Sequence, residues 1–511
     1  MLVKVFGSAV YGIKATTITI EVSVSQGINF LLVGLPDSAV KESQQRIESA
    51  LQMQGFKMPG RKVVINMAPA DIRKEGSAYD LPLAIGILAA SEQISGDRLE
   101  QCVIMGELSL DGSIQPIKGA LPIALQALSE GFTTCIFPVQ NAKEAAVVEG
   151  IAVYGASSIK EVIDLLNGAE TLPPEKIDIE REFLRHNDYE ADFADVKGQE
   201  NVKRAMEVAA AGGHNIILIG PPGAGKTMIS KRLSGILPPL TIEEALETTK
   251  IHSVAGKTGK DVSLITRRPF RSPHHTISDV ALVGGGSFPQ PGEISLAHNG
   301  VLFLDELPEF KRSVLEVMRQ PLEDRVITIS RARFAVEYPA SFMLVASMNP
   351  CPCGFYNHPE KKCVCAPGFV QKYLSRISGP LLDRIDIHIE TVPVPFDKLS
   401  DHRVAESSAA IRERVIAARN IQKERFTAYS GIHCNAQINS RMLKTYCMID
   451  AAGQNIMKTA MQRLGLSARA HDRILKVART IADLEMSQSI QPQHLSEAIQ
   501  YRSLDREGWG R

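Results

Sequence analysis

The chain has 511 residues, enough for about two to four domains with buried cores. Its 57 basic and 57 acidic residues cancel, so no global field attracts it to nucleic acid or to a membrane, and any contact with a polyanion has to be local. The longest apolar stretch near the start, residues 81–90, is shorter than the roughly 20 residues that span a membrane, and residues 1–12 lack a signal-peptide core. These features predict a soluble cytoplasmic protein without membrane contact.

The first third of the chain predicts a compact α/β domain over residues 1–168. Short β-branched runs at residues 17–24, 62–66 and 134–138 alternate with helical stretches such as residues 38–54. Residues 169–190 are charged, carry prolines and show no sustained apolar period, which predicts a linker.

The remainder predicts two more regions. Residues 191–395 give strands, loops and helices in the order of a parallel nucleotide-binding sheet. Residues 396–511 are helical, with apolar residues at helical spacing over 468–484 and again over 492–499. Basic residues outnumber acidic ones from residue 401 onward, which fits a solvated helical face as well as a surface facing DNA. The predicted fold class is α/β with a helical C-terminal region.

An eight-residue motif in the second region indicates nucleotide binding. Gly-Pro-Pro-Gly-Ala-Gly-Lys-Thr matches the phosphate-loop pattern and lies between a strand-like run and a helix-like segment, a context that a mere helix-capping turn does not require. Glycines let backbone N–H groups turn toward phosphate oxygens, while Lys226 reaches the β- and γ-phosphates and Thr227 binds Mg²⁺. The motif predicts a site for ATP and Mg²⁺, formed by Gly220, Pro221, Pro222, Gly223, Ala224, Gly225, Lys226 and Thr227.

Two further apolar runs end in residues suited to hydrolysis. The run that ends at residue 304 is followed by Asp305, expected to hold Mg²⁺, and by Glu306, expected to polarise the attacking water. Alone, such a carboxylate pair is equally typical of a plain strand end, but the phosphate loop favours the catalytic interpretation. The run over residues 342–348 ends at Asn349, in the sensor 1 position of AAA+ ATPases, where an amide orients water or contacts the γ-phosphate.

Arginines near the end of the second region and in the third complete the predicted machinery. Arg384 lies where a neighbouring subunit's arginine finger would be, which implies an oligomer; the alternative is a surface ion pair with Asp383 or Asp386. Arg469 is the predicted sensor 2, and Arg473, one turn later, competes for that role.

Four of the eight cysteines follow Asn349 directly, in a C-x-C, nine residues, C-x-C arrangement. Four thiolates form a tetrahedral Zn²⁺ site, and metal binding supplies of order 10 kcal/mol toward folding a polar loop. His358 is an alternative ligand in place of one thiol. The alternative to a metal site is four free thiols or a redox switch. The predicted zinc ligands are Cys351, Cys353, Cys363 and Cys365, whereas the isolated cysteines are expected to be buried small apolar residues: Cys102, Cys135, Cys434 and Cys447.

Longer motifs identify a family. Residues 193–199, 269–286 and 291–300 resemble the magnesium-chelatase-like AAA+ proteins, and the whole chain resembles the ComM/YifB branch of that family. The resemblance implies a hexameric ring with a helix-2 insert around residues 278–293 and a hairpin before sensor 1 around residues 327–338.

The hairpin carries the predicted DNA contacts. In related replicative helicases, basic residues on this hairpin hold the DNA backbone in the central pore, which here implies Arg331 and Arg333, on one face if both lie in one strand. A solvated edge strand with protective charge is the alternative.

The first region resembles the Lon-protease fold, but its Ser-Lys dyad is missing. The alignment places Ala78 at the serine position and Leu121 at the lysine position, although short slips of register would bring in Ser77 and Lys118. The resemblance favours a binding or ring-assembling role over a peptidase.

Two functions from different classes follow. The first is a hexameric ATP-driven DNA motor, which the ComM resemblance implies is a branch-migration helicase acting with recombination proteins on intermediates of natural transformation. The alternative is a chelatase-type ATPase that remodels a partner protein for Mg²⁺ insertion into a porphyrin. True chelatase subunits lack the Lon-like domain and the cysteine loop, which favours the motor. The missing dyad disfavours a third candidate, a protein-only remodeller or AAA+ protease.

Overall fold

A seven-stranded sheet, a five-stranded parallel sheet and a group of C-terminal helices form most of the described chain. The computed structural model describes residues 2–169, 172–185, 191–259, 262–286, 289–331, 334–356, 358, 360–366, 368–394, 405–429 and 431–502. Within these residues no helix has both the length and the apolar character needed to cross a membrane.

The N-terminal region is built on the mixed seven-stranded sheet, in the order β3-β4-β2-β1-β5-β8-β9. Its strands are β1 (Leu2–Tyr11), β2 (Lys14–Ser25), β3 (Phe30–Val33), β4 (Lys62–Ala68), β5 (Cys102–Ile104), β6 (Glu107–Leu108), β7 (Ile114–Gln115), β8 (Thr134–Pro138) and β9 (Ala152–Ala156). Its helices are α1 (Ser38–Lys41), α2 (Ser43–Met53), α3 (Asp80–Ala90), α4 (Ala120–Ser129), α5 (Val139–Ala145) and α6 (Ile159–Leu166).

The sequence pattern of this region explains its layers. Alternate residues of β2 face the core, and Ile18, Ile20 and Val22 are fully buried. Helix α3 is buried on all sides, including Asp80, whose carboxylate accepts two hydrogen bonds from Arg46 at 2.7 and 2.9 Å. The strand predicted over residues 134–138 is confirmed, whereas the helix predicted over residues 38–54 is split between α1 and α2.

The second region contains the parallel sheet, in the order β11-β14-β17-β10-β18. The strands of this region are β10 (Ile216–Ile219), β11 (Phe270–Arg271), β12 (Gly284–Gly285), β13 (Gln290–Pro291), β14 (Val301–Leu304), β15 (Val326–Arg331), β16 (Phe334–Pro339), β17 (Met343–Met348) and β18 (Ile387–Glu390). Helix α7 (Ile179–Arg185) precedes this region, whose own helices are α8 (Glu200–Gly212), α9 (Lys226–Arg232), α10 (Ile242–Ala255), α11 (Asp279–Val283), α12 (Glu293–Leu296), α13 (Arg312–Val317), α14 (Arg319–Asp324), α15 (Phe369–Leu374) and α16 (Gly379–Leu382).

Strands β10, β14 and β17 are buried along their whole length, as expected of parallel strands covered on both faces. This confirms the predicted parallel sheet. Because β17 lies between β14 and β10, the carboxyl ends of all three strands meet at one edge. Ligands of open α/β sheets bind at this kind of edge.

The predicted hairpin before sensor 1 is confirmed. Strands β15 and β16 pair antiparallel, with Ile327 opposite Tyr338, and their apolar residues pack on the sheet. Strand β15 ends at Arg331, and β16 begins at Phe334. Arg333 itself lies outside the described residues, as does the side chain of Arg331.

The C-terminal region is helical, as predicted, and covers one face of the parallel sheet. Helix α20 (Ala468–Leu484) buries Ile474, Val477 and Ile481 in the same apolar core as residues of α8 and β10. The helices are α17 (Ser408–Arg425), α18 (Ser440–Tyr446), α19 (Ala451–Leu464), α20 (Ala468–Leu484) and α21 (Pro492–Gln500).

The N-terminal region contacts the second region directly. Helix α10 packs against α4. Near its end, the Ser253 hydroxyl donates to Glu144 of α5 at 3.1 Å, and the Gly119 amide, directly before α4, donates to the Ser253 carbonyl at 3.2 Å. Ile13, at the tip of the β1–β2 hairpin, packs against the apolar cluster beneath β15 and β16. The predicted linker contains α7, which packs in a small apolar cluster between the two regions.

Candidate nucleotide site and cysteine cluster

The phosphate loop connects β10 to α9 and has the backbone its glycines allow. Gly223 and Gly225 have φ of +80° and +79°, in the left-handed region that favours glycine, and Gly225 directly precedes α9. A Cβ added at Gly220 would overlap the Thr391 hydroxyl. Because α9 begins directly after Gly225, its amino end lies at the loop, an arrangement suited to binding phosphate.

Lys226 lies at the centre of this loop. Its ammonium donates to the carbonyls of Gly220 at 2.7 Å and Pro221 at 3.0 Å, and to Asn349 Oδ1 at 3.0 Å. Burial lowers the pKa of Lys226, while the carboxylates of Asp305 and Glu306 act in the opposite direction. The cation is thus linked to the residue predicted as sensor 1 and lies in the field of both predicted catalytic carboxylates.

Asp305, at the end of β14, is held by three donors. Its carboxylate accepts hydrogen bonds from the Thr227 hydroxyl at 2.7 Å, the Glu306 amide at 3.1 Å and the Ser347 hydroxyl. The Thr227–Asp305 contact joins the two residues predicted to bind Mg²⁺. Their oxygen ligands suit this hard cation, which is usually held by one or two carboxylates with water and phosphate oxygens.

Glu306 is exposed toward the same cleft and has φ of +54°, an uncommon value for a residue with a side chain. Its amide donates to Asp305 and, at 3.4 Å, to the Ser347 hydroxyl. These two hydrogen bonds hold the backbone in this conformation. A cleft of about 490 Å³ brings together the predicted residues of all three strand ends.

Sequence reasoning missed Ser347. It is a fully buried hydroxyl in the apolar strand β17, two residues before the predicted Asn349, and it supports both Asp305 and Glu306. A polar residue in a continuously buried run needs a hydrogen-bond partner, and that requirement was the available signal.

Arg384 does not join the cleft of its own chain. Its guanidinium forms an ion pair with Glu323 and donates to the Pro380 carbonyl at 2.7 Å, and its side chain is 14% exposed. The ion-pair partners expected from the sequence were Asp383 or Asp386, whereas the structure shows Glu323. An intrachain position away from the cleft is the arrangement that a finger acting on a neighbouring subunit requires.

The two candidates for sensor 2 have different environments. Arg473 donates to the buried Asp386 at 2.5 Å, and His214 Nδ1 lies 3.4 Å from the same carboxylate. Burial would raise the pKa of Asp386, but Arg473 and His214 together hold it well below its usual range. Arg469 is 67% exposed, with Asp383 3.6 Å away. Arg473 is therefore occupied in the core, and Arg469 is the one accessible to a ligand.

The four predicted zinc ligands form one cluster. The Sγ atom of Cys351 lies 3.2 Å from that of Cys353 and 3.7 Å from that of Cys363, and all four sulfur atoms lie within 4.8 Å of one another. Sulfur atoms bound tetrahedrally to one zinc ion at about 2.3 Å lie about 3.8 Å apart. The donor set and its spacing therefore fit Zn²⁺.

His358 is not part of this cluster. Its Nδ1 atom accepts the amides of Glu360 at 3.1 Å and Lys361 at 3.0 Å, and its ring packs on Phe355. The isolated cysteines are buried, as predicted: Cys102, Cys135, Cys434 and Cys447.

Ala78 and Leu121, the residues predicted for the serine and lysine positions of Lon, are apolar, and Leu121 is fully buried. Ser77 and Lys118 both line a cavity of about 510 Å³ beside the β1–β2 hairpin, together with Tyr11.

Comparison with known proteins extends these observations. The family "Magnesium chelatase, subunit ChlI" matches residues 192–399, its "Subunit ChlI of Mg-chelatase" counterpart matches residues 20–141, and "Magnesium chelatase, subunit ChlI C-terminal" matches residues 405–502. Competence protein ComM of Haemophilus influenzae is 44% identical over 508 residues, 99% of this chain and 98% of the relative. YifB of Salmonella typhimurium is 45% identical over 501 residues, 98% and 96% of the two chains. Lon protease 2 of Bacillus subtilis is 30% identical over 159 residues, 28% and 27% of the two chains.

The sheet order, the phosphate loop and the paired carboxylates define a magnesium-chelatase-like AAA+ protein, a class that implies ATP hydrolysis with Mg²⁺. Within that class, the chain belongs to the ComM/YifB family, whose members it matches over nearly its full length.

Proposed function

We propose that this protein is an ATP-driven DNA motor that works as a homo-hexameric ring and drives branch migration of recombination intermediates. The observation that carries the proposal is the hairpin β15–β16, which leads directly into β17, the strand that ends in the catalytic cleft at Asn349. A conformational change that accompanies a change of nucleotide at one end of β17 is thus transmitted along this strand to the hairpin at its other end. A role in natural transformation is supported by the competence protein of Haemophilus influenzae.

The cleft divides the work of hydrolysis among its own side chains. Lys226 and the loop amides bind the phosphates, while Thr227 and Asp305 bind Mg²⁺, which neutralises charge on the phosphate oxygens. Glu306 holds the attacking water and accepts its proton, and Asn349 orients that water or the γ-phosphate. Arg469 contacts the nucleotide from the helical region, and Arg384 completes the cleft of the adjacent subunit.

The predicted DNA contacts are Arg331, the last residue of β15, and Arg333, which lies outside the described residues. Backbone contacts by guanidinium groups are independent of sequence and sensitive to salt, which suits a motor that moves along DNA. We assign residues 1–168 a binding or ring-assembling role, because the residues predicted for the two dyad positions are Ala78 and Leu121 and because Ile13 packs beneath the hairpin.

A branch-migration assay on a synthetic four-way junction tests the function. The expected result is ATP-dependent strand exchange by the natural protein, together with faster ATP hydrolysis when DNA is added. Lys226→Ala is expected to abolish both activities, since the phosphate site loses its central cation.

The hairpin provides the second arm of this test. Arg331→Ala combined with Arg333→Ala is expected to abolish stimulation by DNA and leave basal ATP hydrolysis intact. If DNA has no effect and a porphyrin-handling partner stimulates hydrolysis instead, the chelatase-type alternative is correct. That alternative rests on a match to the magnesium-chelatase 67 kDa subunit of Chlorobaculum parvum, 24% identical over 234 residues, 45% of this chain and 30% of the relative.

We also propose that the cysteine cluster binds one Zn²⁺ per chain through Cys351, Cys353, Cys363 and Cys365. Elemental analysis of the purified protein is expected to find one zinc per chain, and Cys363→Ser to lower it strongly, because a structural site needs four ligands. Cys447→Ser removes a buried thiol outside the cluster and serves as the control for loss of a cysteine. A folded protein free of metal would contradict the proposal.

A further inference from the structure

Gly354 of the cysteine loop packs closely against the phosphate loop. This glycine has φ of +82°, and a Cβ added to it would overlap Cδ of Pro222 and lie 3.0 Å from Cγ of the same ring. Gly354 is buried, and Pro222 is the third residue of the phosphate loop. The two loops are therefore in contact without room for even a methyl group between them.

The metal ligands fix the position of Gly354. The glycine follows Cys353 directly, and its amide donates to the Cys351 carbonyl at 2.9 Å. The amide of Tyr356 donates to the Cys351 sulfur at 3.3 Å, as amides commonly do to metal-bound thiolates. The turn against Pro222 is thus closed by groups that belong to the first ligand pair.

Little else holds this loop in place. Of its described residues between 350 and 366, only Pro350, Cys351 and Gly354 are buried. A loop with so few apolar contacts lacks the hydrophobic burial that would offset the entropy of ordering it, so its conformation depends on the metal.

The residue that leads into the loop lies in the catalytic cleft. Asn349 lies two residues before Cys351 and accepts a hydrogen bond from Lys226 at 3.0 Å. The cysteine loop consequently touches the phosphate loop twice, once through Pro222 and once through the Asn349–Lys226 hydrogen bond. Gly354, Pro221 and Tyr356 also line a small cavity of about 60 Å³ between the two loops.

We infer that the metal held by the four cysteines sets the conformation of the phosphate loop through Gly354, so that loss of the metal weakens ATP binding. The inference rests on the proposed zinc site and deepens the proposed ATPase function. Gly354 is a positioning residue, since it acts on the nucleotide through Pro222. Thermodynamic linkage adds a reciprocal consequence: a bound nucleotide has to strengthen metal binding by the same factor.

The decisive variant is Gly354→Ala, with Gly368→Ala as its matched control. Gly368 has a nearly identical φ of +79°, but a Cβ there meets nothing within 4 Å, so both changes carry the same backbone strain and only one reaches Pro222. Gly354→Ala is expected to raise the dissociation constant of a fluorescent ATP analogue about tenfold, a usual size for coupling between sites. Gly368→Ala is expected to leave it unchanged.

Zinc content and thermal unfolding of both variants are measured alongside. The inference expects Gly354→Ala to keep its zinc and its fold while kcat at saturating ATP changes less than KM. Nucleotide affinity equal to that of the natural protein would overturn the inference.

The reciprocal experiment needs no variant. Zinc release from the natural protein to a pyridylazo dye, in excess Mg²⁺, is expected to be about tenfold slower with a non-hydrolysable ATP analogue bound. An equal release rate, or an unchanged nucleotide affinity after zinc extraction, would overturn the inference. Neither measurement contains DNA, so a failed DNA-motor proposal leaves these outcomes readable, and absence of zinc from the natural protein identifies failure of the metal proposal itself.

Discussion

Glu306→Gln is expected to slow ATP hydrolysis by about 10³-fold while ATP binding stays intact, as for loss of a general base. Glutamine keeps the size of the side chain but cannot accept a proton from water. The residues that bind phosphate and metal are unaffected, because the Lys226 contacts and the Thr227–Asp305 hydrogen bond do not involve the Glu306 side chain. The variant therefore separates binding from chemistry.

The matched control is Glu309→Gln, the same change one turn away. The Glu309 carboxylate pairs with Arg376 at 3.0 Å on the surface and does not line the cleft. Phosphate release and binding of a fluorescent ATP analogue are measured for both variants. Normal turnover in Glu306→Gln, or equal losses in the two variants, would show that Glu306 is not the base.

Local patterns made much of this site predictable. The phosphate loop is a contiguous motif, and Asp305, Glu306 and Asn349 each follow an apolar run that is long enough to be a buried strand. Carboxyl ends of parallel strands meet at one edge, so the assembly of these residues follows from the order of the strands. The cysteine cluster was predictable because its four ligands are close in sequence.

The parts that could not be predicted depend on contacts between distant segments. Nothing near Arg384 in sequence indicates Glu323 as its partner, and nothing near Gly354 indicates that Pro222 lies against it. The helix predicted over residues 38–54 is interrupted at Glu42, the residue between α1 and α2. Short-range pattern specifies which residues end each element, but only packing specifies what those residues meet.

The second large effect is expected for Arg384→Ala, which should lower ATP hydrolysis by at least about 10³-fold with ATP binding retained, the usual size for an arginine finger. In the structure, the Arg384 guanidinium pairs with Glu323 and donates to the Pro380 carbonyl. Because the Glu323 side chain is 62% exposed, this ion pair is worth on the order of 1 kcal/mol, too little for a loss of this size through stability.

Glu323→Ala separates the two explanations, because it breaks the same ion pair and leaves the guanidinium in place. If Arg384 acts on the nucleotide, Glu323→Ala keeps most of the ATPase rate. Equal losses in the two variants would instead make Arg384 a structural residue.

Mixing two inactive variants shows whether Arg384 acts across a subunit boundary. Glu306→Gln supplies a normal arginine and an inactive cleft, whereas Arg384→Ala supplies a normal cleft and no arginine. In a ring with repeated head-to-tail contacts, an equal mixture re-forms complete sites at about one quarter of the contacts, so hydrolysis returns although neither variant hydrolyses ATP alone. An arginine that served its own chain would give no gain on mixing. Recovery of activity would therefore establish both the oligomer and the role of Arg384 in one measurement.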